Sequence, residues 1–325
     1  MTADRISQFI LTVSLGMSIM AGVPDANAQP VNSLRIVTAG GAGSPPDVIS
    51  RIVATEVSEH QNWRITVENR PGALTTLATA DVLKQPADGR TILTMDVPVI
   101  AAPALAPDRH LRLEADFAPV IKVSKDYSIL VVSPSVPARS LAELVALLKA
   151  QPGKFNFSSG PFGTPAHLIG EMFKLQTGVV ATHVPYPSPP QRLSDLMGGI
   201  THFDFITASN AVDLIATGRL RALAVTAPKR VPLLKDVPTV VEQGFPDLVV
   251  EGWEGFAVKT GTSNEQIGRL NQAVNAALAT EKVRNAFANL GAEPVGGTAA
   301  EFGVFVSSQI AHWGKVVRES GIKMR

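Results

Sequence analysis

The sequence has no cysteine among its 325 residues. Disulfide bonds, thiol catalysis and cysteine-ligated metal sites are therefore excluded, and the fold has to be stabilised by packing. An excess of charge of either sign is also missing, since 29 Lys and Arg residues face 28 Asp and Glu residues. Because no long basic run stands out against this balance, the composition argues against nucleic acid as a partner.

Catalytic motifs are missing as well. The six histidines show no His-x-x-x-His spacing, and the Gly-x-Ser-x-Gly elbow of hydrolases is absent. Gly41 and Gly43 match the first two glycines of the Gly-x-Gly-x-x-Gly motif that binds dinucleotides, but Pro46 stands where the third glycine belongs. The sequence therefore predicts no enzyme, no metal and no cofactor.

The first stretch of the chain is typical of a targeting segment. Arg5 precedes an apolar run over residues 9–20, and Ala26-Asn27-Ala28 supplies a small-x-small cleavage pattern. The run is too short to span a bilayer, and no later segment offers about 18 consecutive apolar residues. We predict a signal peptide over residues 1–28, cleaved after Ala28, and an exported, periplasmic mature chain.

Strand-like and helical patterns alternate along the rest of the chain. Leu34–Ala39, Arg64–Asn69 and Thr91–Met95 are strand-like and are separated by helical stretches, which predicts a parallel sheet covered by helices. A second α/β set follows between residues 129 and 226. After Pro238 the chain returns to a long helical segment, which indicates that the first domain is discontinuous.

The sequence thus predicts two α/β domains with a ligand cleft between them. Lobe 1 comprises residues 29–125 with 250–325, and lobe 2 comprises residues 126–249. The chain crosses between them near Lys122–Leu130 and near Val249–Val258, where we expect a hinge that closes on ligand.

Three helix starts follow strand-like runs, at Ser44-Pro45, Thr164-Pro165 and Ser188-Pro189. In each, the hydroxyl suits the N-cap and proline suits the first helical position. Glycine-bearing turns precede the first two, over residues 40–43 and 158–163. Free N–H groups and the helix dipole favour an anion there, so the two turns resemble the halves of one anion clamp.

Purely structural capping is the alternative interpretation of these turns. Ser140-Leu141-Ala142-Glu143 and Thr298-Ala299-Ala300-Glu301 are capping boxes too, and nothing around them points to a ligand. Glycine turns between strand and helix are also routine.

The motifs together carry a resemblance to a known family. They are Gly40-Gly41 with Asp47 and Arg51, Val67–Ala73, Asp88–Thr91, Asp116–Val120, Pro152–Phe157, Gly163–Leu168, His183–Tyr186, Gly218–Val225 and Val237–Pro246. In this order the sequence resembles the extracytoplasmic solute receptors of the tripartite tricarboxylate transporter system, the Bug family. The resemblance covers essentially the whole mature chain.

This resemblance implies a two-lobed periplasmic binding protein of type II. Such a protein, expected to be a monomer, closes on a small organic carboxylate and delivers it to membrane permease subunits. Carried over by motif, the ligand-binding groups are Gly41, Ala42, Gly43, Ser44 and Asp47 from one lobe, with Ser158, Ser159, Gly160, Gly163, Thr164 and His167 from the other, and Tyr186 beside them.

Several of these residues also have a structural interpretation. Asp47 stands where a capping-box acid would accept from the N–H of Ser44. His167 in a first helical turn is often a local partner, and Tyr186 is as well suited to a buried, hydroxyl-satisfied position as to stacking on a ligand.

Two departures from the family pattern bear on the ligand. Pro187-Ser188 follows Tyr186 where the family has Lys-Gly, and Ile206 stands where an acid is common. Losing a cation and an acid near the cleft predicts a less polar ligand tail than that of citrate or an amino acid.

Two other functions remain open at the level of sequence. One is a carboxylate-sensing receptor for a membrane signalling kinase, which would use the same pocket. The other is a periplasmic hydrolase with Ser158 or Ser159 as nucleophile and His167 or His183 as base.

Overall fold

The computed structural model describes residues 33–322. The predicted signal peptide over residues 1–28, with its cleavage after Ala28, lies outside the described residues. Within them, no helix is long and apolar enough to cross a membrane.

Strands and helices alternate over the described residues in a mixed α/β fold. The strands are β1 (Ser33–Thr38), β2 (Arg64–Asn69), β3 (Thr91–Asp96), β4 (Phe117–Val132), β5 (Asn156–Ser159), β6 (Thr182–Pro185), β7 (Phe203–Thr207), β8 (Arg221–Val225), β9 (Glu251–Lys259) and β10 (Glu293–Pro294). The helices are α1 (Pro45–Gln61), α2 (Thr76–Leu83), α3 (Val97–Leu105), α4 (Leu113–Asp116), α5 (Leu141–Ala150), α6 (Pro165–Thr177), α7 (Pro189–Met197), α8 (Ala208–Ala216), α9 (Asn264–Leu278), α10 (Glu281–Asn289) and α11 (Ala299–Ser320).

The predicted helix starts at Pro45, Pro165 and Pro189 are confirmed. The predicted capping by the preceding hydroxyls is wrong at all three, because none of Ser44, Thr164 and Ser188 makes a side-chain cap hydrogen bond. The extended backbone ahead of each proline and the proline itself already direct the chain into the helix.

Side-chain capping occurs instead where the sequence shows a capping box. The Ser140 hydroxyl accepts from the N–H of Glu143, and the Thr298 hydroxyl accepts from the N–H of Glu301. The carboxylate of Glu301 in turn accepts from the N–H of Thr298 at 2.8 Å. These two helices, α5 and α11, therefore begin in the way that the pattern predicts.

The strands form one sheet in the order β2-β1-β3-β9-β4-β7-β5-β6, with β8 and β10 also paired to β4. β1 runs parallel to β2 and β3, and β5 runs parallel to β6 and β7. β9 and β4 run antiparallel to their neighbours. The sheet thus contains two parallel groups, which meet at the long antiparallel strands β4 and β9.

Strand β4 belongs to both groups. Its residues from Phe117 to Tyr127 pair with β9, and its residues from Ser128 to Val132 pair with β7 and β8. The pairing partner changes between Tyr127 and Ser128, inside the predicted crossing Lys122–Leu130. The lobe boundaries themselves stay a prediction.

Apolar cores lie on both faces of the sheet. Helices α1, α9 and α10 bury Val53, Val274 and Phe287 against one face. On the other face, Trp253 of β9 is 2% exposed and packs edge-on against Phe302 and Phe305 of α11. These layers hold the ends of the parallel strands, and the turns that follow them, in place.

Candidate functional site

The turn between β1 and α1 is shaped by close contacts of its own backbone. A side chain at Gly40 would bring its Cβ to 2.3 Å from Ser44 Oγ, so only glycine fits there. Gly43 has a φ of 78°, and the N–H of Ser44 donates to the carbonyl of Gly41 at 3.1 Å. The Ser44 hydroxyl oxygen is buried and has no hydrogen-bond partner within the described chain.

Asp47 holds this turn from inside. Its carboxylate is buried and accepts from the N–H of Gly43 at 2.9 Å, from Arg51 Nε at 2.9 Å and from Asn69 Nδ2 at 2.9 Å. Burial raises the pKa of Asp47, but the hydrogen bonds from Arg51, Gly43 and Asn69 outweigh that effect and hold the pKa below its usual value. The partner is Gly43, not the Ser44 N–H that the capping-box interpretation predicted.

The turn between β5 and α6 repeats this construction. Gly163 has a φ of 84°, and its N–H donates to Nδ1 of His167 at 3.1 Å, as the N–H of Gly43 does to Asp47. Because Nδ1 accepts, the imidazole is neutral at that nitrogen. Burial, followed by the neighbouring His183 and Lys174, lowers the pKa of His167 to about 3. In both turns the side chain four residues after glycine holds the loop.

The serines of β5 are buried and already paired. Ser158 donates to Asp204 Oδ2 at 2.7 Å, and Ser159 donates to the carbonyl of Gly160 at 2.7 Å. Nε2 of His183 lies 2.6 Å from Ser159 Oγ. Since the one hydroxyl proton of Ser159 is directed at Gly160, His183 is the donor in that contact. The imidazole therefore does not accept a proton from Ser159.

Of the two interpretations of Tyr186, the structure shows the buried, hydrogen-bonded one. The side chain is 8% exposed, and its hydroxyl donates to Asp195 Oδ2 at 2.8 Å. Burial and the Asp195 carboxylate raise the pKa of Tyr186 to about 12. The phenol hydroxyl thus finds its hydrogen-bond partner in the following helix, α7.

A cavity of about 100 Å³ lies between the start of α1 and the start of α8. Of the residues predicted to bind ligand, Gly43 lines it. Sequence reasoning missed the others, which come from α1, β4, the start of α8 and the segment after α10. They are Pro45, Val48, Ile49, Asp126, Thr207, Ser209, Asn210, Leu290 and Ala292.

The start of α8 presents polar groups to this cavity. Thr207 precedes the helix with extended backbone, φ −70° and ψ 155°. Its Oγ1 lies 3.2 Å from Ser209 Oγ and accepts from Asn210 Nδ2 at 3.1 Å. A run of cap-forming residues directly after the strand-like segment Phe203–Ile206 was the available sequence signal. Two helix starts, α1 and α8, therefore face one cavity, and both favour an anion.

Asp126 adds the one formal charge among the residues that line the cavity. It lies on β4 opposite Gly252 of β9, and a Cβ at Gly252 would come within 2.2 Å of Asp126 Oδ1. Burial, followed by the charge of Glu251, raises the pKa of Asp126 to about 6. The carboxylate thus lies on the paired strands β4 and β9, which link the two parallel groups of the sheet.

The α6 turn packs against the segments before α2 and at the end of α3. A Cβ at Gly163 would meet Leu105 Cδ1 at 2.9 Å and Leu74 Cδ2 at 3.6 Å. Leu74 is the middle of three consecutive non-glycine residues with positive φ, Ala73, Leu74 and Thr75. The structure therefore brings the α6 turn against this strained segment rather than into the cavity.

Among residues 33–322, no group of three or more His, Asp or Glu side chains is placed to hold a metal ion.

Comparisons with known proteins identify what this arrangement is similar to. The family model described as tripartite tricarboxylate transporter family receptor matches residues 49–322. Protein BugT of Bordetella pertussis is 30% identical over 318 residues, which are 97% of this chain and 98% of that protein.

Solved structures agree with the sequence comparison. The structure of R. palustris Rpa4515 with adipate is 31% identical, has a TM-score of 0.81 and is matched over 91% of this chain and 99% of its own. MatC (Rpa3494) from Rhodopseudomonas palustris with bound malate is 27% identical, with a TM-score of 0.79 over 89% of this chain and 99% of its own. The predicted α/β fold of two-lobed periplasmic binding proteins is confirmed.

Proposed function

The chain belongs to the tripartite tricarboxylate transporter receptor family, and on that premise we propose that it captures a small organic carboxylate between its lobes and delivers it to the permease subunits of a tripartite transporter. The observation that carries this proposal is the cavity between the starts of α1 and α8. The chain acts as a receptor and catalyses no reaction on its ligand.

Helix starts supply the attraction for the anion. A hydrogen bond to a charged group contributes about 1.5–3 kcal/mol, and each helix end adds about 0.3–1 kcal/mol. Gly43 and Thr207, one from each turn, both line the cavity. Solved relatives hold adipate and malate, both carboxylates, which supports the same ligand class here.

The arrangement of Ser159 and His183 supports a receptor rather than a hydrolase. The serine is fully buried, and His183 donates to it instead of acting as its base. His183 Nδ1 is buried without a hydrogen-bond partner in the described chain, so no carboxylate orients the ring.

The lobes are proposed to be residues 29–125 with 250–325 and residues 126–249, hinged on β4 and β9. The change of pairing partner between Tyr127 and Ser128 supports this division. Closure on ligand should lower the radius of gyration measured by solution X-ray scattering. An unchanged radius at saturating ligand would argue against hinge closure.

A thermal-shift screen of the mature chain against a carboxylate library tests the function. We expect at least one carboxylate to raise the melting temperature, because a ligand that binds only the folded state stabilises it. No stabilisation by any member would contradict the ligand class, and chemical conversion of a bound member would contradict the receptor role.

The matched pair Thr207→Val and Thr164→Val then locates the site. Both residues precede a helix, neither caps it through its side chain, and Thr207 alone of the two lines the cavity. Thr207→Val should weaken binding about tenfold by removing a hydroxyl near the anion, and Thr164→Val should leave affinity unchanged. The reverse result would place the carboxylate at the α6 turn, where the sequence motifs had predicted it.

A further inference from the structure

Three carboxyl side chains form a row beside the cavity, across three adjacent strands. Asp96 of β3 pairs directly with Glu254 of β9, and Asp126 of β4 pairs with Gly252, two residues before Glu254. Because side chains alternate along a strand and paired residues share a face, all three carboxyls lie on one face of the sheet. Asp126 Oδ1 lies 2.2 Å from the position that a Cβ of Gly252 would take. Asp126 therefore extends over β9, beside Glu254.

Hydrogen bonds hold this row, but no cation does. Glu254 is 5% exposed and Asp96 is 9% exposed, and Asp126 is half-buried at the cavity wall. Ser124 donates its one hydroxyl proton to Glu254 Oε2, and the N–H of Val99 donates to Asp96 Oδ1 at 3.1 Å. Among residues 33–322, no Lys or Arg side chain forms an ion pair with any of the three carboxyls.

The other charges around the row do not neutralise it. Glu251 adds a negative charge next to Asp126. The lysines of β4 are engaged, since Lys122 pairs with Glu251 and Lys125 pairs with Glu293 at 3.0 Å. Helix α3 carries no charged residue, and the start of α8 presents hydroxyl and amide groups. Charged groups on other surrounding elements have partners of their own, namely Asp47 with Arg51 on α1, Asp204 of β7 with Arg192, and Lys282 of α10 with Glu56 and Glu59.

Adjacent carboxyls in such surroundings retain a proton. Like charges on neighbouring strands destabilise a sheet, and protonation of one carboxyl relieves the repulsion. Burial, followed by the charge of Asp126, raises the pKa of Glu254 to about 8. Burial, followed by the charge of Glu251, raises the pKa of Asp126 to about 6. Between these values Asp126 and Glu254 together hold one proton and one negative charge, and they titrate as a pair.

An anion in the cavity would change this balance. Bound between the starts of α1 and α8, it brings a further negative charge to the wall on which Asp126 lies. That charge favours the protonated form of the pair. Since the described chain supplies no cation there, the available counter-charge is a proton from solvent, which forms an O–H bond at a carboxylate oxygen. By linkage, the proton strengthens anion binding by the same factor.

We propose that the receptor takes up a proton when it binds its anion, and that the pair Asp126 and Glu254 accepts this proton. This inference rests on the proposed function and adds a regulation of that same cavity by pH. The affinity for the carboxylate then rises as the surroundings become more acidic.

Isothermal titration calorimetry of the mature chain counts the protons taken up. The probes are adipate and malate, which solved relatives hold, and the carboxylate that gives the largest shift in the thermal-shift screen. Such carboxylates are already ionised at about pH 7.5, so a proton taken up there goes to the protein. The change in observed enthalpy between HEPES and Tris buffers gives the uptake, and we expect about 0.3–1 proton per bound anion. The dissociation constant should rise at least about threefold between about pH 6.5 and about pH 8.5.

The double variant with Asp126→Asn and Glu254→Gln imitates the fully protonated pair. It should take up no proton, and at about pH 8.5 it should bind the probe about as tightly as the wild type does at about pH 6.5. Glu254→Gln alone should lose part of the uptake. The matched control carries Asp236→Asn and Glu265→Gln, which remove two exposed carboxylates and change the net charge equally, and it should keep the wild-type uptake.

The outcomes separate the two proposals. Binding without proton uptake in the wild type, proton release on binding, or an unchanged uptake in the double variant would overturn the proton assignment and leave carboxylate capture standing. Binding of no probe at either pH, with none found in the wider screen, would overturn the proposed function and this inference with it. The wild-type measurement decides even if a variant does not fold. The melting temperature of the double variant shows that it is folded, and at about pH 8.5 it should equal or exceed the wild-type value because carboxylate repulsion is relieved.

Discussion

Two helical glycines should respond in opposite ways to the same substitution. Gly170 lies in the middle of α6 and is buried, and Gly268 lies within α9 and is exposed. A Cβ at Gly170 would stand 2.3 Å from Cε2 and 2.7 Å from Cδ2 of Phe157, whereas a Cβ at Gly268 would meet nothing within 4 Å. Both positions gain helix propensity from alanine, but only Gly170 meets an obstacle.

The magnitudes follow from the two environments. Gly→Ala in a helix interior contributes about 0.5–1 kcal/mol of stability, which is the whole expected effect at Gly268. At Gly170 overpacking of a core costs about 1–3 kcal/mol. The upper end applies because the Phe157 ring is fully buried and is held by the rings of His183 and Phe203. The net destabilisation by Gly170→Ala is then about 2 kcal/mol.

Thermal and urea denaturation of both variants measure these effects. At about 2 °C per kcal/mol for a chain of this size, Gly170→Ala should lower the melting temperature by about 4 °C and Gly268→Ala should raise it by up to about 2 °C. Gly268→Ala controls for the general effect of removing a helical glycine. A neutral or stabilising Gly170→Ala would refute the close packing of α6 on β5, and with it the support of the α6 turn.

Three further predictions concern titration and strain. Burial and Asp126 raise the pKa of Glu254 to about 8, so the stability contributed by its protonated form is present at low pH and is lost as pH rises through about 8. The melting temperature of Glu254→Gln should therefore rise relative to that of the wild type as pH increases toward about 8. Parallel pH profiles of the two melting temperatures would contradict this prediction. Burial lowers the pKa of His183 to about 4, so the stability contributed by the neutral imidazole is present above about pH 6.5 and is lost as pH falls. His183→Gln keeps a donor for Ser159 and should lose less stability than the wild type on acidification. An equal loss of stability in urea titrations would count against a buried, neutral His183. Ala73→Gly removes the strain of a φ of 48° and should stabilise by about 0.5–1 kcal/mol after the entropy cost of glycine, and a lower urea midpoint would disprove the strain.

The local backbone structure around the candidate site was predictable at positions where a single residue type determines it. Proline at positions 45, 165 and 189 sets the start of a helix by its own geometry, and the structure begins α1, α6 and α7 there. Likewise, the apolar run Ile129–Val132 is fully buried within β4. Such features depend on backbone angles and burial that a short segment specifies by itself.

Hydrogen-bond partners inside the turns were less predictable. The pattern paired Asp47 with the N–H of Ser44, and the structure pairs it with Gly43, because a φ of 78° at that glycine turns its N–H inward. Gly163 pairs with His167 in the same way. The backbone angles of the loop decide which of two neighbouring N–H groups points at the side chain. Residue spacing along the chain does not predict this choice.

Which turns face each other depends on strand order, and this is why the start of α8 was overlooked. Glycine and proline mark turns that need unusual backbone angles, and Thr207, at φ −70° and ψ 155°, needs neither. In the sheet, β7 lies directly beside the shared strand β4, and β5 lies one strand further out. The turn after β7 is therefore the one next to Asp126 and the cavity, and the more conspicuous turn after β5 packs against Leu74 and Leu105 instead. A conspicuous sequence motif and a position beside the cavity are separate properties, because the first comes from local backbone strain and the second from the pairing of strands distant in sequence.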